Sequence, residues 1–292
     1  MVVTPGSIST KDFHALLLGS VSPRPICFAS TVDSEGRPNL APFSFFNVFG
    51  SRPPILVFSP ARRVRDNTTK HTLQNIEATR EVVVNMVSYS MVQQQSLASC
   101  EYPEGVNEFE KAGFTALPSD IVRPFRVKES PVNLECKVLD IIYTSQEGGA
   151  GNLIICEVVK MHIDDAVLDE KGMIDPHKID LVARMGGDYY CRASGDSVFT
   201  VPKPNLELGI GIDKLPESIR TSRILTGNDL GILGNCTAIP VVSNNIQDAR
   251  LKEIYNTYEA GSEQLTDALH KYARELIGRQ ETELAWQVLL SN

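Results

Sequence analysis

The sequence predicts a mainly β fold with added helices, in which short strands form a closed or partly closed antiparallel barrel. Three observations lead to this prediction. Between residues 25 and 160, short β-rich runs alternate with turns that contain Gly or Pro. Residues 88–117 interrupt the strands with a helix-forming insertion, and the C-terminal tail is polar with helical periodicity. We therefore divide the chain into a barrel domain, residues 1–204, and a partly helical C-terminal extension, residues 205–292.

The β segments follow one another along the barrel domain. The first covers residues 25–32 and ends in a polar turn, where Gly36 can adopt the positive φ of a hairpin. Residues 39–49 form the next segment, and its four phenylalanines are expected in the barrel core. Residues 54–58 are a continuous apolar run typical of a strand buried on both faces. The remaining strands are predicted at residues 81–87, 134–144 and 152–163.

Three helical regions are predicted. A short helix covers residues 71–80, and the insertion at residues 88–117 is helical with Gly113 as a C-terminal cap. The tail is predicted to end in a further turn or two over residues 283–290, where Trp286 is expected to anchor the packing. Five residues of the tail recur with helical spacing and are expected to share one face. They are Leu265, Leu269, Tyr272, Ala273 and Leu276.

The composition narrows the classes of function. The chain has 292 residues, which is enough to build a substantial core. Its 28 Lys and Arg residues face 36 Asp and Glu residues, a net charge of −8. This balance argues against a broad nucleic-acid surface, which requires clustered positive charge. It still allows a small basic pocket for one phosphate.

Apolar runs and cysteine spacing predict a cytoplasmic protein without a membrane partner. No run approaches the roughly 18 apolar residues of a membrane span, and residues 15–18 are too few for a signal-peptide core. The six cysteines are scattered without a CxxC pair, so we interpret them as reduced thiols and expect no metal site. The acidic segment at residues 164–180 lacks the spacing of a calcium loop and is interpreted as a solvated loop.

A segment of small and proline-flanked residues, 39–44, follows the first predicted turn. Pro42 cannot donate a hydrogen bond to a neighbouring strand, so this segment is expected at an edge, a bulge or the barrel rim. Small residues there would let a flat ligand approach the backbone, and Ser44 and Asn47 would add polar groups beside it. An ordinary hairpin explains the same pattern.

A basic segment, residues 59–72, leaves one predicted strand and enters a helix. It holds three arginines, one lysine and three threonines within an otherwise acidic chain. Exposed N–H groups at a helix start favour an anion, and Arg and Lys add charge-assisted donors. The segment is therefore interpreted as the phosphate end of a mononucleotide site, with plain solvated surface as the alternative.

Four motifs in this order carry a resemblance to a known family. They are SPRP at residues 22–25, NLAPFSFFN at 39–47, KHTLQNI at 70–76 and ARMGG at 183–187. Over about residues 15–200, the chain resembles the flavin-reductase-like, FMN-binding split-barrel proteins, a group that includes flavoredoxin. The resemblance implies a six-stranded Greek-key split β-barrel that binds FMN non-covalently and forms a homodimer.

The resemblance also implies a set of cofactor-binding residues. Those that would line the isoalloxazine ring and ribityl chain are Ser30, Thr31, Asn39, Ala41, Phe43, Ser44 and Asn47. Those that would hold the phosphate region are Ser59, Arg62, Asn67, Thr68, Lys70 and Thr72. Arg184 and Tyr189 would lie near the pocket mouth. His71 stands where many relatives carry Asp, and an imidazole suits an anion site at least as well.

The same resemblance implies the activity. NADH or NADPH would reduce the flavin, which would pass electrons to free flavin, oxygen or a partner oxygenase. The flavin supplies this chemistry, so no catalytic acid or base is assigned. The glycines at residues 209–211 and 227–234 lack the spacing of a dinucleotide fingerprint, so nicotinamide is expected to bind transiently. The alternatives are a flavoredoxin-like electron carrier without its own NAD(P)H turnover, and a flavin-storage protein.

Overall fold

The computed structural model describes residues 1–203, 207–242 and 247–291. They form two compact units, Met1–Phe199 and Thr200–Asn292. Residues 204 and 205, where the sequence places the domain boundary, both lie outside the described part. Among the described residues, none of the helices combines the length and the apolar character needed to cross a membrane.

The first unit contains all twelve strands that the structure describes. They are β1 (Arg24–Pro25), β2 (Cys27–Val32), β3 (Pro38–Phe43), β4 (Phe46–Ser51), β5 (Pro54–Phe58), β6 (Glu81–Asn85), β7 (Ala116–Leu117), β8 (Arg126–Val127), β9 (Val132–Tyr143), β10 (Asn152–Ile163), β11 (Val182–Arg184) and β12 (Tyr190–Arg192). Seven of them form one antiparallel sheet in the order β3-β2-β6-β9-β10-β5-β4. The strands β1, β11 and β12 form a small second sheet, and β7 pairs with β8.

The large sheet must curl, because its two outer strands are neighbours in sequence. Only Ser44 and Phe45 separate the end of β3 from the start of β4. Seven flat strands would place the outer two ~29 Å apart, whereas a three-step link spans at most ~11 Å. The backbone N–H of Ser59, just after β5, donates to the carbonyl of Phe45 at 2.9 Å and fixes this link. The sheet therefore closes into a partly open barrel.

The segment at residues 39–49 differs from its prediction. It divides at Ser44 into two strands on opposite edges of the sheet, which raises the strand count from the predicted six to seven. Phe43 and Phe46 pack against the barrel core as expected. The expectation is wrong for Phe45 and Phe49, which are exposed, because Phe45 lies in the link before β4 and Phe49 lies in an exposed stretch of that edge strand, residues 47–49.

Strand β5 is also less buried than its continuous apolar sequence predicts. Leu56 and Phe58 are buried, whereas Pro54 is exposed and Ile55 and Val57 are only partly covered. One face of β5 points into the barrel core and the other remains open. The core itself is formed by alternate residues of β2, β5, β6, β9 and β10, together with Leu73 and Ile76.

The helices of the first unit surround this barrel. They are α1 (Thr10–Ser20), α2 (His71–Thr79), α3 (Val92–Leu97) and α4 (Glu108–Ala112). Helix α2 matches its prediction to within one residue, and Leu73 and Ile76 are fully buried on one of its faces. Asn107 caps the start of α4 through Phe109 N–H, and Gly113 ends it with φ of 69°. Gly113 is thus the C-cap that the sequence predicts, since this conformation strongly favours glycine.

The second unit is helical and has its own apolar core. Its helices are α5 (Glu217–Arg220), α6 (Gly227–Leu233), α7 (Ala249–Thr257), α8 (Glu263–Gly278) and α9 (Thr282–Leu290). All five residues predicted to share a face of the tail helix are buried on α8, and Trp286 on α9 is 2% exposed. These predictions are confirmed, because the 3.6-residue period of an amphipathic helix is a local signal.

Candidate functional site

A cavity of about 490 Å³ lies beside the outer edge of β3. This volume falls within the range of about 300–1,000 Å³ typical of small-molecule sites. Its walls come from six places: α1, the end of β3 with its link to β4, the basic segment with the start of α2, the loop after α3, Glu108 of α4, and Arg184 of β11. The first unit therefore supplies every wall of this cavity.

The edge of β3 is shaped by Pro42 and by Glu108 of α4. Strand β3 pairs with β2 on one side and is the end of the sheet on the other. Pro42 has no N–H to offer at this edge, and the N–H of Leu40 donates to Glu108 Oε2 at 3.0 Å. The prediction that Pro42 lies at a strand edge is confirmed. Because Glu108 accepts the only N–H that this edge offers at Leu40, no further strand can pair with β3 there.

A buried polar network stands behind this edge. Asn39 donates from Nδ2 to Glu108 Oε1 at 2.9 Å and accepts at Oδ1 from the Thr72 hydroxyl at 2.9 Å. Asn75 donates to the Thr31 hydroxyl at 3.0 Å. Glu108 is 4% exposed, and this burial raises the pKa of its carboxyl despite the hydrogen bonds from Leu40 and Asn39. The network fixes the orientation of Asn39 at the cavity wall.

Positive charge gathers at another part of the wall. Arg63 donates from Nε to Glu101 Oε1 at 2.9 Å, and Lys70 Nζ lies 3.5 Å from the same oxygen. Arg65 pairs with the other oxygen of Glu101. These contacts, led by the hydrogen bond from Arg63, lower the pKa of the Glu101 carboxyl to about 2. The basic segment and the loop after α3 therefore meet at one carboxylate.

The structure brings eight of the fifteen predicted cofactor-binding residues to this cavity. They are Asn39, Ala41, Phe43, Ser44, Ser59, Lys70, Thr72 and Arg184. All six of the polar side chains among them already have partners within the chain. For example, Ser59 Oγ accepts the N–H of Asn152 at 3.0 Å, and the Thr72 hydroxyl donates to Asn39. The eight come from segments far apart in the sequence.

The other seven predicted residues lie outside the lining of this cavity. They are Ser30, Thr31, Asn47, Arg62, Asn67, Thr68 and Tyr189. Ser30 and Thr31 are fully buried in β2. Arg62 donates to Asn67 at 2.7 Å, and the Thr68 hydroxyl accepts from Arg63 at 2.8 Å. Arg62, Asn67 and Thr68 therefore brace the basic segment.

Sequence interpretation left out several residues of the cavity wall. Arg63, Glu101, Tyr102 and Glu108 all line it. Arg63 lies beside the predicted Arg62, and only the backbone direction decides which of the two faces the cavity. Glu101 and Glu108 belong to the helical insertion, about 30 to 40 residues beyond the basic segment. No local pattern links Glu101 to the cations it meets, or Glu108 to the donors of β3.

A second cavity of about 360 Å³ shares Arg184 with the first. Two arginines lie over two tyrosine rings in its wall. The guanidinium of Arg192 is 3.9 Å from the ring centre of Tyr89, and that of Arg184 is 4.7 Å from the ring centre of Tyr190. Arg192 is also paired with Asp180 at 2.7 and 2.8 Å. This wall can bind planar groups and negative charge.

A cluster of two carboxylates and a histidine at β9 and β10 resembles a metal site, but its hydrogen bonds explain it as part of the fold. Asp120, Glu135 and His162 place ligand-type atoms within 4.8 Å of one another. Glu135 accepts three backbone N–H groups at residues 120–122 and contacts His162 Nε2 at 2.6 Å. Lys160 pairs with Asp120. The lone pairs of Glu135 are thus already used to hold a loop against β9 and β10.

Comparisons with known proteins agree with this architecture. Residues 18–180 match the flavin reductase like domain family. The chain belongs to the flavin reductase-like family. A relative from Aquifex aeolicus, an uncharacterised protein, is 40% identical over 183 residues, which are 63% of this chain and 91% of the relative.

Solved structures resemble the barrel unit. The 2-nitrobenzoate 2-nitroreductase of Pseudomonas fluorescens is 30% identical, with a TM-score of 0.61 over 69% of this chain and 96% of that one. Component B of nitrilotriacetate monooxygenase from Bacillus cereus is 28% identical, with a TM-score of 0.64 over 69% of this chain and 98% of that one. The predicted split-barrel fold of the flavin reductases is therefore confirmed.

The flavin cofactor that this family implies fits the residues of the first cavity. A flavin nucleotide combines a flat ring with at least one phosphate. The edge of β3 offers small side chains and the ring of Phe43, which packs 5.6 Å from the ring of Phe58. Arg63 and Lys70 already hold an anion, the Glu101 carboxylate. Carboxylate and phosphate are bound by the same charge-assisted donors.

Proposed function

We propose that this flavin reductase-like protein binds FMN non-covalently in the first cavity and reduces it with NADH or NADPH. One observation carries the proposal. The cavity joins a strand edge of small residues, suited to a flat ring, to the cations Arg63 and Lys70, suited to one phosphate. Cofactor sites typically combine an apolar wall with a few charged groups at fixed positions.

Residues of this chain would hold the cofactor in two groups. Ala41, Phe43 and Ser44 would contact the ring, with Arg184 near the mouth. Arg63 and Lys70 would bind the phosphate, while Arg62 and Asn67 hold the basic segment in place through their mutual hydrogen bond. Asn39 would be oriented for the ring by Glu108 and Thr72. Thr31 would act through this buried network, to which it is joined by Asn75 and Asn39.

The bound flavin would supply the redox chemistry, accepting a hydride from the nicotinamide and passing electrons to an acceptor. The protein therefore needs to bind and orient two planar groups rather than supply an acid or base. The second cavity lies next to the first across Arg184, and its positive charges suit the phosphates of a dinucleotide. We infer that the nicotinamide donor enters from this side.

The reduced flavin would serve an acceptor outside the chain, such as free flavin, oxygen or a partner oxygenase. The resemblance to a monooxygenase component B supports the last of these. We also propose a homodimer, since exposed apolar residues lie at the end of α1 and on β4. They are Leu17, Val21, Val48 and Phe49. The free thiols support a cytoplasmic location.

Binding of FMN and of riboflavin to the protein and to its Lys70→Ala variant tests the phosphate assignment. Loss of a charge-assisted contact of at least ~1.5 kcal/mol should weaken FMN about ten-fold. Riboflavin has no phosphate and should bind both proteins equally. Lys128→Ala, an exposed lysine elsewhere on the first unit, is the matched control. Equal losses for both ligands would contradict the assignment.

A further inference from the structure

Glu101 occupies the position from which the cationic wall would bind an anion. Among the described residues, the ion pairs of Arg63 and Lys70 both end on Glu101 Oε1, at 2.9 and 3.5 Å. Arg65 adds a third positive charge at the other oxygen. A planar, doubly accepting anion surrounded by guanidinium and ammonium groups has the recognition chemistry of a bound phosphate.

The negative charge of the Glu101 carboxylate is not lost by protonation at ordinary pH. Its pKa is lowered to about 2, first by the hydrogen bond from Arg63 and also by Arg65 and Lys70. A phosphate that reaches the same donors would therefore meet a full negative charge. Two anions at one set of cations repel each other, so one of them must leave or both bind more weakly.

The side chain of Glu101 has room to leave. It is 36% exposed, and it belongs to the loop that joins α3 to α4 rather than to a helix or strand. The nearer of the two cations is anchored independently: Arg63 also donates to the hydroxyl of Thr68 and the carbonyl of Thr69, both at 2.8 Å. The cationic wall can thus persist without Glu101.

We propose that Glu101 is an internal competitor of the flavin's phosphate and sets how tightly phosphorylated flavins are held. The inference rests on the proposed FMN site and adds a specificity-determining residue to it. In the free protein Glu101 neutralises Arg63 and Lys70. Binding of a phosphorylated flavin displaces it toward solvent, which costs part of the binding free energy and makes the flavin exchangeable.

The test is the affinity of the full chain and of its Glu101→Gln variant for FMN and riboflavin, measured by flavin fluorescence. Each exposed ion pair contributes up to about 1 kcal/mol, so removing the competing charge should tighten FMN about 3- to 10-fold. Riboflavin should bind both proteins alike. The gain should shrink at high salt, because the competition is electrostatic.

Two further variants make the result specific. Glu104→Gln removes the same charge from an exposed position in the same loop and should leave FMN affinity unchanged. Glu101→Asp keeps the charge on a shorter side chain, so its FMN affinity should fall between those of the wild type and Glu101→Gln. This second variant also tests the proposal if Glu101→Gln fails to fold. Unchanged or weaker FMN binding in Glu101→Gln, or an equal gain for riboflavin, would overturn the competitor role. Absence of flavin binding in every protein would overturn the proposed function as well.

Discussion

Glu108 is a single buried carboxylate that serves two donors on the edge strand. It accepts the backbone N–H of Leu40 and the side-chain amide of Asn39, and it is 4% exposed. A buried donor that loses its acceptor costs about 1–3 kcal/mol. The position of β3 beside the first cavity therefore depends on one side chain of the insertion.

The variant Glu108→Ala should lower the free energy of unfolding by about 2–4 kcal/mol, since it leaves two buried donors unpaired. Glu108→Gln keeps one acceptor oxygen and should cost less. Urea unfolding, with circular dichroism as the probe, measures both. Equal losses in the two variants would contradict this expectation, because they would show that the oxygen kept in Glu108→Gln accepts neither donor.

Between elements, Glu135 ties the loop at residues 120–122 to β9 and, through His162, to β10. Burial pushes the pKa of its carboxyl up, but the hydrogen bonds from the loop N–H groups and His162 outweigh this and lower the pKa to about 2. The ordinary value for glutamate is 4.5. Folding therefore favours the ionised form of Glu135.

This shift predicts how stability depends on pH. A carboxyl whose pKa is lower in the folded state stabilises the protein above pH 4.5, and this contribution disappears as the pH falls toward 2. Glu135→Gln should be less stable at pH 7 and should lose less stability between pH 7 and pH 3. Chemical unfolding at both pH values measures this, with Glu170→Gln, an exposed carboxylate, as the control. An unchanged acid dependence in Glu135→Gln would contradict the role of this residue.

Elements with a local signal were predicted well from the sequence. The amphipathic face of α8, the start of α2 near His71 and the cap at Gly113 depend on residues within a few positions of one another. The pairing of β4 with β5 and the division of the β segment at Ser44 depend on how the sheet curls. Sheet curvature is set by contacts between distant strands, so a run of residues alone does not reveal it.

The candidate site was predicted in its ring-facing half more than in its charged half. Ala41, Phe43 and Ser44 lie on one strand edge, so a motif and a proline were enough to locate them. The insertion brings Glu101 to the cations of the basic segment and Glu108 to the edge of β3. Such nonlocal ion pairs and hydrogen bonds leave no pattern in the sequence.

At the scale of the whole molecule, the two units have separate apolar cores. The first cavity is lined by residues 14–184, whereas the second unit is built around the helices α5–α9. Trp286 is among the largest fully buried side chains of the second core, and its indole N–H lacks a hydrogen-bond partner among the described residues. Its contribution is therefore apolar packing.

Trp286→Ala should destabilise the second unit by about 3–5 kcal/mol, the usual cost of a large cavity. Trp286→Phe should cost less, because it keeps an aromatic ring and removes the unpaired N–H. The affinity for FMN should not change in Trp286→Phe, since the residue lies in the other unit. Thermal unfolding and FMN titration measure the two effects, and a loss of FMN affinity in Trp286→Phe would contradict the assignment of the site to the first unit.

The most direct test of the proposed function is anaerobic mixing of the FMN-loaded protein with NADH and, separately, with NADPH. Flavin absorbance follows the reaction. We predict rapid bleaching by at least one nicotinamide, because the second cavity, where we propose that the donor enters, adjoins the first across Arg184. A protein that takes up FMN but is bleached only by a protein donor would be an electron carrier instead. A protein that remains colourless with added FMN would contradict the central claim.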